Sequence, residues 1–126
     1  MKQMVCLIVL AVMFAVNVSA KMKKEVIIFS QPCRFCDLLK KDLNENLISE
    51  YPNIQFTVLD IREQNNRRLL DKYARQHNLR GDIGMPLIFI GENYLMGWSE
   101  KNKKLLDEYI LSFEQEEISR LPSSNL

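Results

Sequence analysis

The chain has 126 residues, 47% of them apolar and 26% charged, with four glycines and four prolines. That length fits one domain, and the composition excludes collagen-like, low-complexity and disordered classes. Seventeen Lys and Arg against sixteen Asp and Glu leave neither the basic footprint of a nucleic-acid binder nor an acidic tail.

The first 20 residues read as a leader rather than as part of the fold. Lys2 stands near the start, Val5 to Val16 runs twelve residues without a polar side chain, and Val18-Ser19-Ala20 puts small residues before Lys21. Charge, short apolar run and small-residue exit in that order predict a secretory signal peptide over 1–20, cleaved to leave a domain over 21–126. The alternative is an uncleaved anchor, for which the apolar run is short. Export follows, to the periplasm in a bacterium and otherwise to the secretory pathway or the extracellular space. Cleavage leaves 106 residues, enough for one compact core. Lys2 leaves with the leader, so 16 basic residues face 16 acidic ones. Cys6 leaves too, and Cys33 and Cys36 remain. Small secreted domains built on disulfides carry four or more cysteines, so here the apolar core must hold the fold and the pair is free for chemistry.

The elements follow in chain order. Glu25-Val26-Ile27-Ile28-Phe29 is a short apolar, β-branched run that reads as a strand buried on both faces. After Ser30-Gln31-Pro32, the segment from Cys33 to about Ile48 sets Cys36, Leu39, Leu43 and Leu47 on one stripe. That spacing predicts an amphipathic helix with Pro32 at its entrance. Tyr51-Pro52-Asn53 breaks the chain, and Ile54 to Ile61 reads as a second strand. Arg67 to Asn78, with Leu69, Leu70, Tyr73, Ala74 and His77 at helical spacing, predicts a second helix. A loop from Arg80 to Pro86 leads to a third strand, Leu87 to Ile90. Gly91-Glu92-Asn93 then reads as a hairpin connection into a fourth, Tyr94 to Trp98. Ser99 is a candidate N-cap beside Glu100, opening a long helix that carries Leu105, Leu106, Tyr109, Ile110 and Phe113. Leu121 to Leu126 reads as a loose tail. The order β-α-β-α-β-β-α predicts the α/β class, with a mixed four-stranded sheet and helices on both faces.

Cys33 falls in the turn between the first strand and its helix, and Cys36 lies one turn later on nearly the same face, within reach of one disulfide. The free N–H groups of a first helical turn stabilise negative charge on Cys33, and Arg34 adds a cation beside it. Cys36 points inward with the apolar stripe, so the expected division is Cys33 as nucleophile and Cys36 as resolving thiol. Three readings compete for the pair. A zinc half-site needs two more ligands, and beyond the cysteines the mature chain offers only His77. A structural disulfide would close a short loop and remove little chain entropy. The third reading is a redox dithiol, which a C-x-x-C beside a βαβ pattern signals.

Three segments carry a resemblance: Cys33-Arg34-Phe35-Cys36 after the first strand, Met85-Pro86 before the third, and Gly97-Trp98-Ser99-Glu100 before the last helix. Over about residues 25–113 the sequence resembles the thioredoxin superfamily, and its four-strand size is similar to glutaredoxin-like members. The resemblance implies a thioredoxin-like fold and a thiol–disulfide oxidoreductase that exchanges disulfides with protein substrates. Cys33 and Cys36 would be catalytic, with no cofactor beyond their own redox-active disulfide and no metal. The implied partners are protein thiols and disulfides and an unidentified electron donor; nucleic acid and, after cleavage, membrane are not among them, and the protein would be a monomer. Pro86 is implied to be a cis-proline lying against the cysteines, and Met85 the residue whose backbone binds substrate; on sequence alone Pro86 also suits the first position of a strand. Arg34 and Phe35 join them as expected substrate contacts.

The departures are specific. Pro32 precedes Cys33 where thioredoxins carry Trp, Arg34-Phe35 replaces Gly-Pro, and Val26 to Phe29 contains no buried Asp, so the Cys36 proton goes to another acceptor such as water. A glutathione-dependent glutaredoxin is the alternative enzyme, although Ser30-Gln31-Pro32 lacks that family's basic residue and Trp98 replaces a glycine. A binding module or carrier of a soft cation such as Cu(I) is the non-enzymatic alternative. Elsewhere, Asp60 and Arg62 read as solvated strand-end charges and His77 as a packing residue. Arg80-Gly81-Asp82 reads as a loop whose glycine serves geometry, and Lys101, Lys103 and Lys104 as a solvated face.

Overall fold

The computed structural model describes the backbone of residues 24–120 and the side chains of residues 24–116. The expected signal segment and the C-terminal tail lie outside the described residues. Strand β1 (Lys24–Ser30) is buried from Val26 onward. Its chain then enters helix α1, which is regular over Arg34–Asp42, widens to a π-helical stretch over Leu43–Leu47 and closes with an α-turn at Ile48–Glu50. Strand β2 (Ile54–Asp60), helix α2 (Gln64–Gln76), strands β3 (Leu87–Ile90) and β4 (Asn93–Met96), and helix α3 (Glu100–Arg120) complete the order.

The four strands form one mixed sheet in the order β2-β1-β3-β4. β1 runs parallel to β2 from Lys24↔Ile54 to Ser30↔Asp60, and antiparallel to β3 from Val26↔Ile90 to Phe29↔Leu87. β4 returns antiparallel to β3, with Leu87 opposite Met96. A central strand has both faces covered, and this is why β1 and β3 lack the polar alternation of an edge. The edge strand β4 buries only Leu95.

Successive side chains of a strand point to opposite faces, and the core divides accordingly. Val26, Ile28, Ile88 and Ile90 cluster with Leu39, Leu43 and Leu47 of α1 and with Leu106 and Ile110 of α3. Ile27, Phe29, Leu87 and Phe89 cluster with Leu70 of α2, and Tyr73 packs against them. The stripe expected from the sequence, Cys36-Leu39-Leu43-Leu47, is buried at every position.

Some boundaries differ from those that periodicity gives. Helix α2 begins three residues earlier than expected, because its first turn is polar and tied by hydrogen bonds rather than by packing. Asn66 Nδ2 donates to the Asp60 carbonyl at 2.9 Å and to Glu63 Oε2 at 3.3 Å. Strand β4 ends at Met96, so Trp98 lies in the connection after Gly97, whose φ of +85° suits a glycine. Trp98 is buried all the same, inside the cluster formed by α1 and α3. Ser99 caps α3 as expected, its Oγ accepting the Asn102 N–H at 3.1 Å.

Candidate active site

The site begins where β1 ends. Pro32 cannot donate a backbone hydrogen bond, and the chain turns there into Cys33, whose extended backbone (φ −158°, ψ 157°) marks the position just before the helix. The Cys33 carbonyl accepts the Asp37 N–H at 3.0 Å, opening the helical ladder. Its side chain caps the same turn: Cys36 N–H donates to Cys33 Sγ at 3.1 Å. An unsatisfied N–H of a first helical turn is thus aimed at the sulfur, which is the arrangement that stabilises a thiolate.

Cys33 and Cys36 are joined as a disulfide, their Cα atoms 5.2 Å apart. The two sulfurs are unequal in exposure. Cys33 is half-buried, while Cys36 is 1% exposed and belongs to the buried stripe of α1. An incoming group therefore meets Cys33.

An open depression lies over Cys33, lined by Pro32, Arg34, Asp37, Leu38 and Lys41. The expected contact Arg34 is on it. Phe35 is exposed but is not part of its lining. Met85 and Pro86 are also absent from the lining. Pro86 is fully buried and Met85 half-buried against the cluster of Ile27, Phe29 and Leu70. The Met85–Pro86 peptide bond is cis. One step beyond the Phe29↔Leu87 pair, the antiparallel register sets Pro86 beside Ser30, at the end of β1 from which the cysteines emerge. The Pro86 carbonyl accepts the Gly97 N–H at 2.8 Å, tying this loop to the start of the last connection.

Four residues escape the sequence reading. Asp37, Leu38 and Lys41 line the depression because they fall three, four and seven residues after Arg34, one helix face that the search for buried stripes passes over. Ser30, the polar end of an apolar strand, is 2% exposed, and its hydroxyl has no hydrogen-bond partner.

The lesser candidates are accounted for by local contacts. Arg62 grips Asp60 with Nη2 at 2.7 Å, Nε at 3.0 Å and its own N–H at 2.9 Å. Those hydrogen bonds hold the Asp60 carboxyl down at about 2. His77 packs 4.6 Å from the Phe89 ring, with Nδ1 2.8 Å from the Tyr73 carbonyl and Nε2 3.1 Å from the Gly91 carbonyl. Gly81 takes φ +83°, a conformation that glycine adopts freely. Lys103 stands 4.0 Å from Asp42.

Among the described residues, no group of three or more His, Cys, Asp or Glu is placed to hold a metal ion. No described helix is long and apolar enough to cross a membrane. Comparison of the chain with protein-family models gives no match, and comparison with curated proteins gives none either.

Proposed function

We propose that this protein is a thioredoxin-like thiol–disulfide oxidoreductase that exchanges disulfides with other proteins through Cys33 and Cys36. The observation that carries the reading is the unequal pair itself. The accessible sulfur receives a helix N–H, and its partner is sealed beneath it in disulfide range. The cis Met85–Pro86 bond, the mixed sheet and two apolar clusters that draw on different helices support a thioredoxin-like fold with helices on both faces.

In the reducing direction the Cys33 thiolate attacks a disulfide of the partner protein and expels one of its sulfurs as a thiolate. Cys36 then attacks Cys33 Sγ, the second partner thiolate leaves, and the Cys33–Cys36 disulfide closes; the oxidising direction reverses these steps. Arg34 and Phe35 flank the attacking sulfur, while Met85 and Pro86 supply backbone for the bound partner. No cofactor takes part beyond the disulfide, and a thiol donor restores the reduced form. The proposed setting is an exported, monomeric protein, periplasmic in a bacterium.

Iodoacetamide labelling of the reduced protein at about pH 6, well below the usual thiol value, tests the division of roles. Cys33 should be modified first and Cys36 hardly at all, and the Cys33→Ser variant should lose insulin-disulfide reduction. Equal labelling of both cysteines would refute the assignment.

A further inference from the structure

Among the described residues, one buried side-chain polar atom lacks a hydrogen-bond partner, and it is Ser30 Oγ. Ser30 is 2% exposed, so water does not serve it. Its backbone is satisfied, the carbonyl accepting the Ile61 N–H at 2.9 Å. A buried hydroxyl left unpaired is destabilising. Such a group calls for an explanation, and its place in the fold supplies one.

Val26, Ile28 and Ser30 share one face of β1, and Val26 and Ile28 pack in the cluster that holds Leu39, Leu43 and Leu47 of α1. Because β1 and β2 are parallel, α1 starts near the C-terminal end of β1 and runs back along it. Ser30, the last residue of β1, therefore stands at the level of the first turn of α1, where the buried Cys36 lies. The charged groups around that level are otherwise engaged or turned to water. Asp60, opposite Ser30 on β2, is held by Arg62. Arg34, Asp37 and Lys40 of α1 are exposed, and Pro86 and Leu87 on the β3 side carry no charge.

We propose that the Ser30 hydroxyl is the hydrogen-bond donor to the Cys36 sulfur once the disulfide opens, a positioning role that rests on the thiol–disulfide exchange described above. In the disulfide the uncharged sulfurs are at most weak acceptors, and the hydroxyl stands unpaired. In the dithiol, Cys36 offers it an acceptor that strengthens as the thiol ionises. During resolution Cys36 gives up its proton toward the departing partner thiolate, and its own thiolate attacks Cys33 Sγ. The bond from Cys33 to the partner breaks, and the departing partner thiolate takes up a proton. Two electrons pass from the Cys33–Cys36 dithiol to the partner disulfide. Ser30 keeps its own proton throughout. It fills the place left open by the lack of an acid in Val26 to Phe29, by donating to the thiolate instead of accepting its proton.

The test uses the full chain in a Cys33→Ser background, where Cys36 alkylation by iodoacetamide is followed between about pH 6 and pH 10. Hydrogen bonds to charged groups are strong enough that Ser30→Ala should slow Cys36 alkylation near neutral pH about tenfold, and move its onset to higher pH. Ser30→Thr and Ser30→Val have one shape and differ in the hydroxyl, so they keep the test sharp if the alanine variant folds poorly. Thr should label like the parent and Val like Ala. Cys33, followed in a Cys36→Ser background, should label at an unchanged rate. Equal Cys36 rates in the Thr and Val variants would overturn the proposal, as would parallel slowing at Cys33, which marks general loosening. Exchange of the unaltered protein with glutathione is read separately. Its failure would refute redox activity, whereas the alkylation profiles judge Ser30 without any turnover.

Discussion

Replacing Asp42 by alanine should destabilise the protein well beyond what a half-exposed carboxylate suggests. Asp42 lies at the end of the regular part of α1, and its Oδ2 accepts the Trp98 Nε1–H at 2.7 Å. Trp98 is only 6% exposed, so deleting the acceptor leaves an indole N–H with no access to water. An unpaired buried donor costs about 1–3 kcal/mol. The Lys103 contact at 4.0 Å adds little, because surface ion pairs are worth roughly 0–1 kcal/mol. A total near 2 kcal/mol lowers the melting midpoint of a domain of this size by roughly 8–16 °C. Asp42→Asn retains an acceptor oxygen and should fall much less. Trp98→Phe removes the donor and leaves the carboxylate to water, so a double-mutant cycle should return a clear coupling energy. Thermal unfolding of the oxidised proteins by circular dichroism provides the measurement. If Asp42→Ala melts at the temperature of the unaltered protein, the hydrogen bond contributes nothing and the argument fails.

Three further outcomes follow from the contacts. Leu39→Ala, in the fully buried stripe of α1, should cost about 2–5 kcal/mol in denaturant unfolding; Leu38→Ala, 43% exposed on the same helix, should stay within about 0.5 kcal/mol, and similar losses would reverse the assigned faces. Gly91→Ala should destabilise by about 1–2 kcal/mol, because Gly91 has φ +54° and a Cβ there would stand 3.1 Å from the Phe113 ring; a midpoint shift near zero would contradict that. Arg62→Ala should raise the Asp60 titration from about 2 toward the ordinary 3.8, read by NMR. Since folding depresses this carboxyl, its contribution is full above the unfolded value and is lost as pH falls toward about 2. An unchanged titration would show that Arg62 is not the cause.

The fold was legible where one periodicity ruled a segment. Leu39, Leu43 and Leu47 repeat every four residues, and Val26 to Phe29 forms an unbroken apolar run, so α1 and β1 stood out. The π-helical stretch over Leu43–Leu47 was not visible, because a four-residue repeat fits both the ordinary and the widened turn. Apolar spacing gives no sign of the first turn of α2 either, because Gln64, Asn65 and Asn66 carry no hydrophobic signal. The cysteines were found by spacing alone, since three residues make one helical turn. Ser30 and Asp42 were not. Ser30 comes to the level of Cys36 only through the direction of the strand and its crossover helix, and Asp42 meets Trp98, far along the chain, only through the packing of α3.

Why these features gather at one end of β1 follows from topology more than from any single contact. A strand paired in parallel with the next must release the chain at its C-terminal end, and the crossover helix must begin there. The N-terminus of α1, with its unsatisfied N–H groups, consequently meets whichever residues follow Ser30, and Cys33 occupies that position. β3 runs antiparallel to β1, so its first residue arrives at the same end, and the loop carrying Met85 and Pro86 comes with it. The accessible sulfur, the polarised helix end and the buried proline loop thus converge through strand direction. A residue inserted between Cys33 and Cys36 would push Cys33 back off the helix end while leaving Cys36 in the buried stripe. The pair would then lose the asymmetry on which its chemistry depends, although every side chain of the core stayed in place.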